Sequence, residues 1–581
     1  IECGEEAAKH FAFERGYINL NHGEFCLLPQ NTWPSLTITR RINGTHPIDV
    51  AEVRRKYLDR AEARPDTFVR YEYRSHLLNQ ARQAIADYVH APLETCVLIP
   101  NATTGIDTVL RNLNFATNDA VICFSTTYPA FLNTLDYLEE RSNLDFCIIQ
   151  HPLPATDHDI CSYFERILGK VRKAHQKPKL AIFDTISSQP GIRWPFERLT
   201  DICRKEGILS CIDGAHGVGQ IPLDLPRLNP DFFVSNCHKW LHTPRGCALL
   251  YVPVRNQHLI RSTLPTGFGF VKKGPSDKTN NFVANFAAVA TSDDTPYLCI
   301  PAALAWRKRL TYNEQTGEDA IMSYNKDLAR RGGKLVADIL GTEVMDNAQG
   351  TLGDCAMVNV RLPIDLENVT KEKPNHGEDI ASWINKTMNL QFNIAVNAFV
   401  YADVLWVRLS AQVYLEMKHF EAAGNALKEF VVESDSGELH EWTPMRVVGG
   451  IEDKSCSATK RLHPSKTLPF QPKFECLSDS LHTLINDNKL YEFRPFERKD
   501  YKLPSASLKG PYKCPYSSQI PHSKQIYEQP PAESATRCYL TSRIGTSRLV
   551  GNANIARTGV RDADLIFRTA RRDLTVADGI Y

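Results

Sequence analysis

No apolar run in the 581 residues approaches the roughly 18 to 20 needed to cross a bilayer as a helix, so a membrane-spanning protein is not expected. Neither sign of charge is in surplus. With 68 basic and 67 acidic side chains the formal net charge is +1, which gives no global reason to expect nucleic acid or an anionic membrane surface as partner. Sixteen cysteines are present, yet no two are spaced Cys-x-x-Cys, and no metal-ligating cluster is read from the chain. Cys123, Cys147, Cys211 and Cys247 lie inside apolar, strand-like runs, where a thiol acts as a small hydrophobe. Free thiols in a reduced, cytoplasmic setting are therefore expected rather than a disulfide framework. The first residue is Ile1 rather than methionine, so a fragment or processed form is expected, and a removed targeting segment stays open.

What is present is a long alternation of short apolar runs and helical patterns. Cys96 to Ile99, Ala120 to Phe124, Phe146 to Ile149, Leu180 to Phe183, Ile208 to Ile212, Phe232 to Val234 and Cys247 to Val252 read as buried strands. Leu77, Leu78, Ala81, Ile85 and Val89 recur at helical spacing, a stripe best explained as core. The length implies two packed lobes or more. Two strand ends carry chemistry. Ile208 to Ile212 runs into Asp213-Gly214-Ala215-His216, and Phe232 to Val234 runs into Ser235-Asn236-Cys237-His238-Lys239-Trp240. A carboxylate and a lysine at the carboxyl ends of neighbouring strands are what pyridoxal 5'-phosphate requires. The lysine amine condenses with the aldehyde, and the carboxylate keeps the pyridine nitrogen protonated, so the ring accepts electrons from a carbanion. Lys239 and Asp213 are thus the expected catalytic pair.

Other stretches are less specific taken singly. Asn101-Ala102-Thr103-Thr104-Gly105 follows a strand and opens a helix, a setting that fits either an ordinary N-cap or a phosphate held at the helix terminus. Tyr128 follows the next strand, and is read either as the aromatic face against the cofactor ring or as a surface tyrosine. Arg408 lies in the strand-like run Leu405 to Leu409. An arginine there is usually exposed, yet its planar fork suits two parallel hydrogen bonds to an amino-acid carboxylate.

Taken together, these motifs resemble the class V aminotransferase branch of the fold-type I pyridoxal-phosphate enzymes, and within it the isopenicillin N epimerase-like group. The residues that carry the resemblance are Leu20-Asn21-His22-Gly23, Arg60 to Asp66, Asn101 to Gly105, Asp213 to His216, His238 to His242 and Arg408 to Tyr414, in order over about three quarters of the chain. Among its members the chain looks most like the fungal hercynylcysteine sulfoxide lyases of ergothioneine biosynthesis.

The resemblance implies an α/β fold, a mostly parallel sheet with helices on both faces, and a smaller C-terminal α+β lobe. It implies an N-terminal segment over the active site (1–45), a cofactor-binding domain (46–300) and a small domain (301–433). It places Ala102 and Thr103 at the cofactor phosphate, with Ser235 and His238 near it, and His216 on the ring oxygen. Thr291 is expected to reach a partner's phosphate in a homodimer. Asn21 and His22 are expected to line the substrate pocket beside Arg408. Gly23-Glu24-Phe25-Cys26 departs from the family's Gly-Ser-Phe-Gly, putting a charge near the entrance. Thr266 to Phe270 and Lys272 to Asn281 read as a mobile loop, and Phe25, Phe268 and Tyr297 as aromatic faces for a trimethylated imidazole, though all three equally suit packing.

The expected reaction is carbon–sulfur cleavage of a cysteine-derived sulfoxide, hercynylcysteine S-oxide, giving an ergothioneine sulfenic acid with pyruvate and ammonia. The same carbanion serves an epimerase or a cyclase, and a non-catalytic regulator on the same fold is a third reading. Residues 434–581 lie outside the resemblance. Their Pro-rich and polar stretches, with a mild basic excess, are expected to be largely disordered or loosely packed, with a small binding module as the other reading.

Overall fold

The computed structural model describes residues 1–23, 45–142, 144–266, 270, 272, 281–366, 376–434 and 565–567. Glu24 to Cys26, Phe268, most of the expected loop before Asn281 and nearly all of the C-terminal extension lie outside the described residues.

Seven of the apolar runs become one sheet: β1 (Cys96–Ile99), β2 (Asp119–Phe124), β3 (Asp145–Ile149), β4 (Lys177–Asp184), β5 (Leu209–Asp213), β6 (Phe232–Asn236) and β7 (Ala248–Tyr251). Their spatial order is β3-β2-β4-β5-β6-β7-β1. The pairs β2/β3, β2/β4, β4/β5 and β5/β6 are parallel, whereas β7 runs antiparallel to both β6 and β1. Strands covered on both faces need no polar side, which is why these runs are apolar throughout rather than alternating. In β2, Ala120, Ile122 and Phe124 enter one buried cluster while Val121 and Cys123 enter the cluster on the other face.

Helices supply those faces. α1 (Ile48–Ala63) and α2 (Leu78–Tyr88) precede β1. The apolar stripe read between Leu77 and Val89 is buried as expected. After the strands come α3 (Ala102–Asn112), α4 (Pro129–Arg141), α5 (Asp157–Lys173) and α6 (Phe196–Glu206). α5 opens with a capping box between Thr156 and Asp159, and α6 ends at Gly207, whose φ of +67° is the left-handed stop that glycine adopts without strain.

A second, smaller cluster of buried side chains forms around β8 (Met357–Arg361), β9 (Asn397–Tyr401) and β10 (Val404–Ser410), an antiparallel sheet with β10 in the middle. It packs with α8 (Gly317–Leu340), α9 (His376–Gln391) and α10 (Met417–Ser434), and α7 (Ile300–Arg307) leads into it from the large lobe. Leu405, Val407 and Leu409 point into this core, whereas Trp406 joins the large lobe's cluster, so alternation along β10 turns Arg408 toward the large lobe. The N-terminal segment binds here too, with Ile18–Asn19 pairing in parallel with Ile394–Ala395.

In the extension, Leu565–Phe567 forms a strand, β11, antiparallel to the outer edge of β3. A run of three apolar residues is too short for periodicity to have flagged it. Among the described residues, no helix is long and apolar enough to cross a membrane, no group of residues is arranged to hold a metal, and eleven cysteines are free and buried.

Candidate active site

The carboxyl ends of β1, β4, β5 and β6 share one edge of the sheet, and Asn101, Asp184, Asp213 and Lys239 lie at or just past those ends. The Lys239 amine is 2.9 Å from His216 Nε2. The opposite nitrogen of His216, Nδ1, accepts from Trp240 Nε1–H at 3.1 Å. The backbone around the lysine is clamped at two carbonyls. His22 Nε2–H donates to Lys239 O at 3.0 Å, and Arg307 donates to Trp240 O at 2.6 Å.

A chain of bonds fixes His22: Asn19 Nδ2 donates to the Tyr414 hydroxyl at 3.0 Å, and that hydroxyl lies 3.0 Å from His22 Nδ1. With its hydrogen on Nε2, His22 is neutral. Burial pushes its pKa down to about 4. Both ring nitrogens of His22, expected to line the substrate pocket, are engaged inside the protein. Asn21 behaves differently. Its Oδ1 accepts from Arg408 at 2.7 Å, while the other end of the same guanidinium donates to Ser188 O at 2.8 Å. Arg408 is fully buried, flanked across β10 by Asn359 and Asn397, and a Cβ on Gly191 would lie 2.7 Å from its Cδ. Arg408 and Asn21 are therefore brought together.

Asp213 is buried, and its Oδ1 accepts from Ala215 N at 2.9 Å. Asp184, read from sequence only as part of a polar lip, stands directly opposite it in the β4–β5 register. Burial, and then the charge of Asp213, push Asp184 well above the usual carboxylate range, whereas Asp213, raised by burial, is held lower by the Ala215 N–H. Of the two, Asp184 is the more readily protonated. A second buried strand ending in aspartate was visible in the sequence, and that repetition was the signal.

The loop after Asp213 is pinned by Ser235. Its hydroxyl donates to Gly214 O and accepts from Val218 N at 3.0 Å. The one hydrogen of this hydroxyl, expected near the phosphate, is thus spent on the loop. Asn236, the next residue, accepts Ala102 N–H at 2.8 Å through Oδ1, and among the described residues its amide nitrogen makes no bond. Asn101 caps α3 by accepting from Thr104 N at 2.8 Å. That leaves Thr103 N–H as the first-turn donor unspent among the described residues, with the Thr103 side chain exposed beside it. His238 is held by Nδ1 at 2.8 Å from Cys247 O, with burial pushing it down to about 4.

Tyr128 is half-buried and packs edge-on against Phe131 at 5.5 Å. Thr291 is exposed. Tyr297 is buried in the large-lobe core, which favours packing over an aromatic face for substrate. His242 packs as a ring among Phe11, His22 and Trp306.

The donor set fits pyridoxal 5'-phosphate: an amine, a buried carboxylate, and at the α3 terminus an unspent N–H, a hydroxyl and an amide for a phosphate dianion. Gly105 has no room for a Cβ, which would lie 2.6 Å from both Ile99 and Val234, so α3 packs tightly onto the strand ends.

Comparison with known proteins agrees. The "Aminotransferase class-V" family matches residues 45–368. An "L-cysteine desulfhydrase-like protein lolT1" of Epichloe uncinata is 39% identical over 444 residues, covering 71% of this chain and 96% of that protein. A "Hercynylcysteine sulfoxide lyase" of Schizosaccharomyces pombe is 28% identical over 432 residues, covering 74% and 97%. The solved complex of the cystine C-S lyase C-DES with cysteine persulfide superposes with a TM-score of 0.52 at 19% identity, over 66% of this chain and 94% of that one, a likeness of fold.

Proposed function

Because the chain belongs to the class V aminotransferase family, whose cofactor is pyridoxal 5'-phosphate, we propose that it is a carbon–sulfur lyase acting on a cysteine-derived amino acid. The observation that supports this best is that one short stretch serves both ends of such a substrate. Asn21 meets the Arg408 guanidinium, and His22 holds the Lys239 carbonyl.

When bound, the cofactor supplies an electron sink for a carbanion at the substrate α-carbon. Lys239 Nζ takes the α-proton. Arg408 turns its buried fork to the α-carboxylate, exchanging its bonds to Ser188 O and Asn21 Oδ1 for the substrate oxygens. Asp213 would face the ring nitrogen as a carboxylate, with Asp184 beside it in register as its donor. His216 supplies an N–H from Nε2. Thr103, Asn236 and His238 hold the phosphate end.

The substrate we propose is hercynylcysteine sulfoxide. The C–S bond breaks with both electrons going to sulfur, giving a sulfenic acid, and water hydrolyses the three-carbon remainder to pyruvate and ammonia. L-cysteine is the second reading, favoured by the name of the 39% identical relative. The holoenzyme should release pyruvate from the sulfoxide faster than from L-cysteine, and Lys239→Ala should release none. Exchange of the α-proton without pyruvate would replace the lyase by an epimerase or cyclase. We also propose a homodimer in which Thr291 serves the neighbouring subunit.

A further inference from the structure

We propose that Trp240 is a positioning residue that decides which nitrogen of His216 carries the proton, and so presents Lys239 as a free amine rather than an ammonium. The inference rests on Lys239 being the cofactor's anchor.

Indole nitrogen is a donor only. Trp240 Nε1–H lies 3.1 Å from His216 Nδ1, so Nδ1 must offer its lone pair. A neutral imidazole has one hydrogen, which then belongs to Nε2. Nε2 is 2.9 Å from Lys239 Nζ. The bond between them therefore runs from Nε2–H to a lone pair on Nζ. An ammonium has three donors and no acceptor, so a charged Lys239 would set N–H against N–H at that distance. An imidazolium is excluded for the same reason at Nδ1, where it would face the indole N–H.

The surroundings hold both rings in this relation. Lys239 from the turn after β6, Arg408 from β10 and His22 from the N-terminal segment face His216, and full burial, with the Arg408 charge, disfavours a second proton on the ring. Trp240 is fully buried, and His22 meets its ring edge-on at 5.1 Å. Gly23 crosses over the indole–imidazole bond. With φ at +89°, it would carry a Cβ 3.3 Å from both Trp240 Nε1 and His216 Cε1, so a larger residue there presses directly on the pair.

The consequence is chemical. Only the unprotonated amine condenses with an aldehyde, and it is the form that can accept the His216 Nε2–H. The indole that follows the lysine in sequence acts on it through the histidine of another loop.

The test is nitrogen NMR of the cofactor-free protein with 15N-labelled histidine rings, assigning His216 by its loss in His216→Gln. The expected spectrum shows an unprotonated Nδ1 and a protonated Nε2 across neutral pH. In Trp240→Phe the two tautomers should mix. In the loaded enzyme, the pH midpoint of the cofactor's visible band should move by about one pH unit or more in Trp240→Phe. In a His216→Gln background the same change should move it no further, since an amide has no tautomer to set. A proton found on Nδ1 of the unaltered protein, or an equal shift in both backgrounds, overturns the proposal. If Trp240→Phe fails to fold, the spectrum of the unaltered protein still decides. Pyruvate release has no part in these readouts, so failure of the lyase reading is seen separately.

Discussion

Asp184 and Asp213 end adjacent strands in register, and two buried carboxylates so placed cannot both ionise. A proton on Asp184 lets its acid donate to Asp213, which keeps the negative charge where a pyridinium needs it. Asparagine at 184 offers the same donor, so Asp184→Asn should hold the cofactor about as tightly as the unaltered protein. Asp184→Ala should weaken binding about tenfold or more, the worth of a buried hydrogen bond to a charged acceptor. The dissociation constant measured by absorbance decides; a tighter Ala than Asn variant would place the proton on Asp213 instead.

At the scale of elements, two active-site loops meet where nothing larger than glycine fits. A Cβ on Gly219 would lie 2.5 Å from the Trp240 carbonyl carbon. Arg307, from the end of α7, binds that contact from behind, donating to Gly219 O at 2.9 Å and to Trp240 O at 2.6 Å. Glu318 at the start of α8 accepts from the same guanidinium, and Tyr88 of α2 donates to Glu318 at 2.7 Å. One buried cation thus ties the Asp213 loop, the Lys239 loop and the entry to the small lobe. Arg307→Met should cost about 3 kcal/mol, the lower end for a broken buried pair, because Glu318 retains some exposure. Urea denaturation of the cofactor-free protein measures it. A loss under about 1 kcal/mol would mean the loops hold each other without the arginine.

For the molecule as a whole, burial pushes His22, His46 and His238 each down to about 4. Their unfolded values lie near 6.5, so as pH falls the unfolded chain takes up protons that the folded chain refuses. The stability tied to these groups is full above about 6.5 and is lost as pH falls toward 4, at about 1.4 kcal/mol per unit for each fully shifted group. Asp184 and Asp213, both shifted upward, act in the opposite sense, and His216 and His242, both pushed well below the ordinary histidine value by burial, add to the three. The urea midpoint should fall steadily from pH 6.5 to 4.5; a flat profile would show that the histidines are protonated in the fold.

The sequence by itself determined the central sheet and the cofactor, and it singled out Lys239 and Asp213 as the expected anchoring pair. Strands buried on both faces must be apolar along their whole length, and a lysine and an aspartate at two such strand ends stand out locally. Arg408 stood out as the one charged side chain in β10. Tertiary structure alone decided what each polar group spends its hydrogens on. Ser235, expected near the phosphate, spends its one hydrogen on Gly214 O, and His22, expected at the substrate pocket, has both ring nitrogens engaged. Asp184, Asn236 and Arg307 took their places only when loops distant in sequence met. Hydrogen-bond partners are set by distances between segments, and nothing in the order of residues along a chain records those distances.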